Sequence, residues 1–149
     1  MGERAALSQP RDSVGELLLA LVDRVSHRGG DTLALMAEAG ITLPQILFLA
    51  RLRQAAGSTA SELAERLNMS APAVSQMVDR LFRLGLLTRV EDAEDRRRKR
   101  LATTPRADTL LDKLTRARAA EYGKGTARLS PAVRRELAAA LQKAVRELS

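Results

Sequence analysis

No cysteine occurs in the 149 residues, and that absence removes three possibilities together: a disulfide framework, a thiolate zinc site and a thiol redox sensor. Histidine occurs once, at His27, too few for the usual nitrogen and sulfur metal sites. With one His and no Cys, no Ser/His/Asp or Cys/His catalytic grouping assembles. No enzymatic activity and no cofactor are therefore expected. Aromatic side chains are almost missing, Phe48, Phe82 and Tyr122 being the whole set. Binders of single strands or RNA stack bases on aromatic platforms, so a nucleic-acid partner is expected to be duplex DNA. Long apolar runs are also missing. Residues 17–22 (LLLALV) are bracketed by Glu16 and Asp23; they are too short to span a bilayer and no small-residue cleavage pattern follows. A cytoplasmic protein with no membrane contact is the expectation.

What is present is positive charge. Twenty-five Lys and Arg stand against 18 Asp and Glu, a formal net charge of +7. A surplus of that size favours a polyanionic partner, nucleic acid before an acidic membrane surface, although a soluble protein that is merely basic fits the charge as well. The length fits one domain, 1–149, that buries about 70% of its unfolded surface.

Helix starts are plainly marked. Ser13-Val14-Gly15-Glu16, Thr42-Leu43-Pro44-Gln45 and Thr59-Ala60-Ser61-Glu62 are capping boxes, in which a hydroxyl and a carboxylate or amide satisfy orphan backbone N–H groups. Thr104-Pro105 and Ser130-Pro131 put a cap residue before a proline at the first helical position. Val14, Leu17, Leu18, Leu21, Val22 and Val25 form one helical stripe. Leu43, Ile46, Leu47, Ala50 and Leu52 are assigned to a second. Residues 105–122 form a further helix with Leu110, Leu111 and Leu114 on its apolar face, and Val133, Leu137, Leu141, Val145 and Leu148 continue the pattern. His27-Arg28-Gly29-Gly30 reads as a break or bend. The helices of 12–40 and 105–149 thus flank a central lobe, 42–104. One such lobe is too small to cover them all, so a second copy of the chain is the natural partner.

Inside that lobe, Ala64 is small where two helices must cross, Asn68 follows four residues later where the chain turns through positive φ, and Val74 supplies an apolar anchor ten residues after Ala64. Ser70 caps the next helix, to Leu84. The pattern is that of a helix-turn-helix, and an ordinary helical hairpin packed through the same residues is the competing reading. Val74, Met77, Val78 and Leu81 make the buried stripe of the second helix, so Ala71, Pro72, Ser75, Gln76 and Asp79 point elsewhere. Small residues at 71–73 let the helix start approach a duplex, where its dipole and N–H groups meet phosphate. Ser75 and Gln76 are the base-reading candidates, Gln being suited to adenine N6/N7. Arg80 and Arg83 are phosphate contacts or solvated ion pairs.

Gly85 closes the helix, and Leu86–Glu91 and Arg100–Thr103 read as short strands. Between them four acids (Glu91, Asp92, Glu94, Asp95) precede five bases, Arg96 to Arg100. Acids that brace the turn and bases that reach a narrow minor groove would use that polarity. Its place after the helix tips Arg96, Arg97 and Arg98 toward function; Lys99 reads as solvated surface. The fold class is mainly α with a small β-hairpin wing.

Together these residues resemble the MarR family of bacterial transcription regulators. The likeness is close over about 40–106 and rests on Leu43-Pro44-Gln45, Glu62-Leu63-Ala64, Val74-Ser75-Gln76-Met77-Val78-Asp79-Arg80-Leu81, Gly85-Leu86 and Asp95-Arg96-Arg97. It implies that Asp95 braces the wing, that Arg97 enters the minor groove, and that Ser70, Pro72, Ser75 and Gln76 face the major groove. It also implies a homodimer built from interleaved N- and C-terminal helices, and a repressor released by a small aromatic or phenolic ligand. The ligand pocket would involve parts of residues 17–55, where His27, Met36 and Arg53 are polar or adaptable. Gln76 stands where relatives commonly carry Arg, Ala107 where Gly is frequent, and Thr103 where an apolar residue is usual.

The leading expectation is a homodimeric, sequence-specific repressor on a pseudo-palindromic duplex, its reading helices one DNA turn (about 34 Å) apart. A constitutive or architectural DNA binder without an effector is the second. A helical module that recruits another protein is the third, and it predicts no preference over random duplex.

Overall fold

The computed structural model describes residues 13–26, 30–95 and 98–148. Among them lie seven helices, α1 Val14–Val25, α2 Asp31–Ala39, α3 Leu43–Gln54, α4 Ala60–Leu67, α5 Ala71–Arg83, α6 Pro105–Thr126 and α7 Pro131–Glu147, with strands β1 Leu87–Glu91 and β2 Lys99–Thr103. The chain divides into two compact units, 31–118 and the pair of segments 1–30 and 119–149. No single helix among the described residues is long and apolar enough to cross a membrane.

The 31–118 unit has a closed core. Phe48, Leu49 and Leu52 of α3, Leu63 of α4, Val74 and Leu81 of α5, Leu86, Leu87 and Leu101 are nearly or completely buried, each contributing about 1.5–3 kcal/mol on leaving water. The caps act as the sequence requires. The Thr59 N–H donates to Glu62 Oε2 at 2.8 Å and the Glu62 N–H returns to Thr59 Oγ1 at 3.3 Å. That Thr59 N–H, above all, holds the Glu62 carboxyl below its ordinary pKa. Gln45 Oε1 accepts from the Thr42 N–H at 2.9 Å.

Two expectations change here. Leu43 and Leu47 are 50% and 58% exposed, and α3 buries Phe48, Leu49 and Leu52 instead. The segment Leu43–Ala50 is apolar almost all round, so spacing alone does not choose its face. The second change is α2, for which the sequence reading assigned no separate helix; Met36 and Ala39 pack against the core beside Ile41. The expected break at 27–30 falls between α1 and α2, and residues 27–29, with His27, lie outside the described residues.

β1 and β2 pair antiparallel from Leu87↔Thr103 to Glu91↔Lys99. The loop before α4 adds to the outer edge of β2: the Gly57 N–H donates to the Leu101 carbonyl and the Leu101 N–H to the Ser58 carbonyl, both at 2.9 Å. Thr103, polar where an apolar residue is usual in the family it resembles, donates its hydroxyl to Asp108 at 2.8 Å. Thr104 Oγ1 caps α6 by accepting from the Ala107 N–H, and Ala107 is fully buried. The start of α6 therefore forms without the glycine.

The other unit contains α1, the end of α6 and α7. Here α6 runs one turn beyond the expected 122, to Thr126. A Cβ on Gly125 would stand 2.5 Å from the Val25 carbonyl oxygen, so glycine is what lets these two backbones touch. Val25 is buried, but Val14, Leu17, Leu18 and Val22 of the same predicted stripe are exposed, as are Val133, Leu141, Val145 and Leu148.

Candidate nucleic-acid interface

Two helix ends shape the interface, and both are fixed by residues the sequence marks. At the end of α4, Asn68 adopts φ +50°; its N–H bonds the Glu65 carbonyl and the Met69 N–H bonds the Ala64 carbonyl. That pair of bonds is a Schellman cap with Asn in the left-handed position. It turns the chain so that Ser70 begins α5 at once, its Oγ accepting from the Ala73 N–H at 3.3 Å. At the other end Gly85, φ +68°, repeats the motif through Gly85 to Phe82 and Leu86 to Leu81 bonds. Between the caps Val74, Val78 and Leu81 are buried and Met77 half-buried.

The opposite face carries the predicted readers. Ser70, Ala71, Pro72, Ser75, Gln76 and Arg80 are all exposed. Arg83 is exposed too, its Nε donating to the Asp79 carbonyl at 3.3 Å. Asp79, placed by the sequence on this face, pairs with Arg89 of β1.

The wing is braced by Asp92, which the sequence reading did not single out. Asp92 is 6% exposed. Its Oδ1 accepts from the Glu94 N–H at 2.8 Å and its Oδ2 pairs with Arg100 Nε at 2.7 Å. The Glu94 N–H, then Arg100, hold its carboxyl below the ordinary pKa. Its backbone N–H donates to the Arg98 carbonyl, and the Arg98 N–H to the Asp95 carbonyl, each at 2.9 Å. The signal was available: Asp followed two residues on by a free N–H is an Asx turn. Asp95 is exposed and its backbone joins the turn. Arg100 was also missed; besides Asp92 it reaches the Gly57 carbonyl at 2.9 Å and ties the wing to the loop before α4. Arg98 and Lys99 are exposed, while Arg96 and Arg97 lie outside the described residues.

Between α4, α5 and the hairpin is a cavity of about 340 Å³, bordered by Ser61, Ser75, Arg89, Arg98 and Lys99 over a floor of Val78 and Leu101. Hydroxyls and cations therefore meet beside the exposed face of α5. No group of three or more His, Cys, Asp or Glu able to hold a metal occurs among the described residues.

A capped helix-turn-helix with an antiparallel hairpin directly behind it agrees with what sequence comparison finds: the MarR family model matches residues 39–98. Over those residues the chain is similar to the MarR family. A curated relative, the HTH-type transcriptional repressor MdtR of Bacillus subtilis, is 33% identical over 85 residues, 57% of this chain and 55% of the relative. The chain thus matches about half the length of that repressor. Among solved structures, the YusO protein of Bacillus subtilis superposes with a TM-score of 0.68 at 25% identity, covering 89% of each chain. A mutant of MepR from S. aureus, solved bound to an oligodeoxyribonucleotide, gives 0.67 at 23% identity, covering 93% of this chain and 99% of that one.

Proposed function

We propose that this chain is a cytoplasmic, sequence-specific duplex-DNA-binding transcriptional regulator that acts as a homodimeric repressor. The observation that carries the reading is the two-sided character of α5: one stripe sealed in the core, the other offering Ser70, Ala71, Pro72, Ser75 and Gln76 to solvent beside a basic hairpin. A helix held in that manner enters a major groove with its N-terminal half leading. Ser75 and Gln76 then read base edges, the α5 start and Arg80 meet phosphate, and Arg98 follows the flank together with Arg96 and Arg97. Asp92, with Asp95 beside it, keeps the hairpin in shape. The naming of MdtR as a repressor and the nucleic acid bound to the MepR mutant support the same direction.

The homodimer is supported by the exposed leucines and valines of α1 and α7, which a second copy would cover. For release by a small effector, support comes from a cavity of about 430 Å³ between α2 and the first turns of α6. Its walls include Leu35, Leu86 and Leu110, with Arg106 and Lys113 as cations against one acid, Glu38; the net positive, largely apolar lining suits an amphipathic acid, aromatic or phenolic. Of the residues considered for this role, Arg53 is paired with Asp112 at 2.7 Å and Met36 packs on the core.

The test is selection of bound sequences from a random duplex pool, followed by displacement from the selected duplex with a panel of aromatic acids. A two-fold symmetric sequence released by a member of the panel is expected. Binding with no preference over random duplex sinks the reading; selection without release removes the effector and leaves a constitutive regulator.

A further inference from the structure

We propose that Arg89 is a positioning residue, pinning the rotation of the DNA-reading helix α5 against the wing through Asp79 and Phe82. The proposal rests on the reading of α5 given above. Asp79 lies four residues after Ser75 and therefore one turn along the same face. A carboxylate there faces the same polyanion that Ser75 reads, which is unfavourable unless its charge is answered. Arg89 answers it: Nη2 pairs with Asp79 Oδ1, and the guanidinium lies 4.9 Å over the Phe82 ring centroid. Asp79 and Phe82 are three residues apart on the helix, so one planar group touches α5 at two points of one face. Phe82, half-exposed and otherwise unexplained, is the platform.

The other end of the pin is rigid. Arg89 follows buried Leu87 by two residues, so both project from one face of the hairpin. Across the ladder Arg89 pairs with Leu101, which is buried and bonded on its far edge to Gly57 and Ser58. The Val74, Val78 and Leu81 stripe sets which face of α5 is turned inward, but apolar burial is non-directional and leaves the fine setting of the rotation to polar contacts. Base readers need placement to within about 0.5 Å. A guanidinium supplies the missing direction because its edge pairs while its face stacks. The geometry is kept even though Arg89 Nε is buried without a hydrogen-bond partner.

The experiment uses the full chain, the duplex it selects from a random pool, and poly(dI-dC) as the non-specific competitor. Arg89→Gln is expected to lower the ratio of specific to non-specific affinity about tenfold, the size of one lost base contact, with the salt dependence unchanged. Asp79→Asn is expected to lower that ratio too, although it removes an acid; Arg89→Lys restores part of it. An equal loss on both duplexes for Arg89→Gln, with the salt slope reduced by about 0.9, would make Arg89 a phosphate contact and overturn the proposal. Tighter binding of Asp79→Asn to both duplexes at an unchanged ratio overturns it as well. Should Arg89→Gln fail to fold, the exposed Asp79→Asn decides alone. The Arg89 Nε–H resonance gives a reading without DNA: a ring-current shift from Phe82 that moves in Asp79→Asn is expected, and its absence overturns the pin. A chain that keeps this signal but selects no sequence sinks the DNA-reading assignment, and this role with it.

Discussion

The 31–118 unit and the unit formed by α1, the end of α6 and α7 treat their apolar residues in opposite ways. The first seals Phe48, Leu49, Leu52, Leu81 and Leu101 within its own fold. The second leaves Val14 and Leu19 each 73% exposed and Val145 62%, with α7 burying no residue at all. Leucine and valine at helical spacing are thus common to both units, and the difference lies in what they have to pack on. A segment with enough neighbours in its own chain closes a core. One built of a few helices presents its stripe outward, where a second copy is the covering our functional reading requires.

The contrast can be broken at its strongest point first. Leu81→Ala removes a fully buried side chain from the closed core and should cost about 2–5 kcal/mol in chemical denaturation. Leu141→Glu in the open unit should leave most of that stability in place and weaken self-association about a hundredfold or more, since it buries an unpaired charge at a copy-to-copy contact. Sedimentation equilibrium would read the change, and an unaltered assembly would mean that α7 is not covered by another chain. Ser70→Ala removes the cap of α5 and should cost about 1 kcal/mol, with a larger proportional loss of DNA affinity than of melting temperature.

The smallest effect sharpens the closed unit by pH. Asp92 and Glu62 have pKa values lowered in the folded protein. Their contribution is therefore complete above the ordinary carboxylate value of about 4 and is lost as pH falls through the lower, folded one. Stability should be level from about pH 5 to 8 and decline only below about 4. Asp92→Asn should flatten part of that acid decline in pH-dependent melts.

Much of the 31–118 unit was legible because its signals are local. Ser70, Thr59, Asn68 and Gly85 each act within four residues of themselves, so their caps could be read without the fold. The buried stripe of α5 was legible for the same reason, since polar residues mark its outer side. The face of α3 was not, because Leu43, Leu47, Phe48 and Leu49 are equally apolar and only the tertiary packing, with β2 against α3, decides which are covered. Asp92–Arg100 and Asp79–Arg89 join residues eight and ten apart across a turn or between a helix and a strand. Within runs of charge, no spacing rule says which acid meets which base.

One consequence follows from the backbone bonds that Gly57 and Ser58 make to Leu101. The second strand is gripped on both flanks, by its hairpin mate and by the loop preceding the helix-turn-helix. The arm thus stands on a fixed socket, which sets the angle at which the hairpin leaves the body. Relatives or variants that lose this grip should tolerate a broader range of operators and hold each one less tightly.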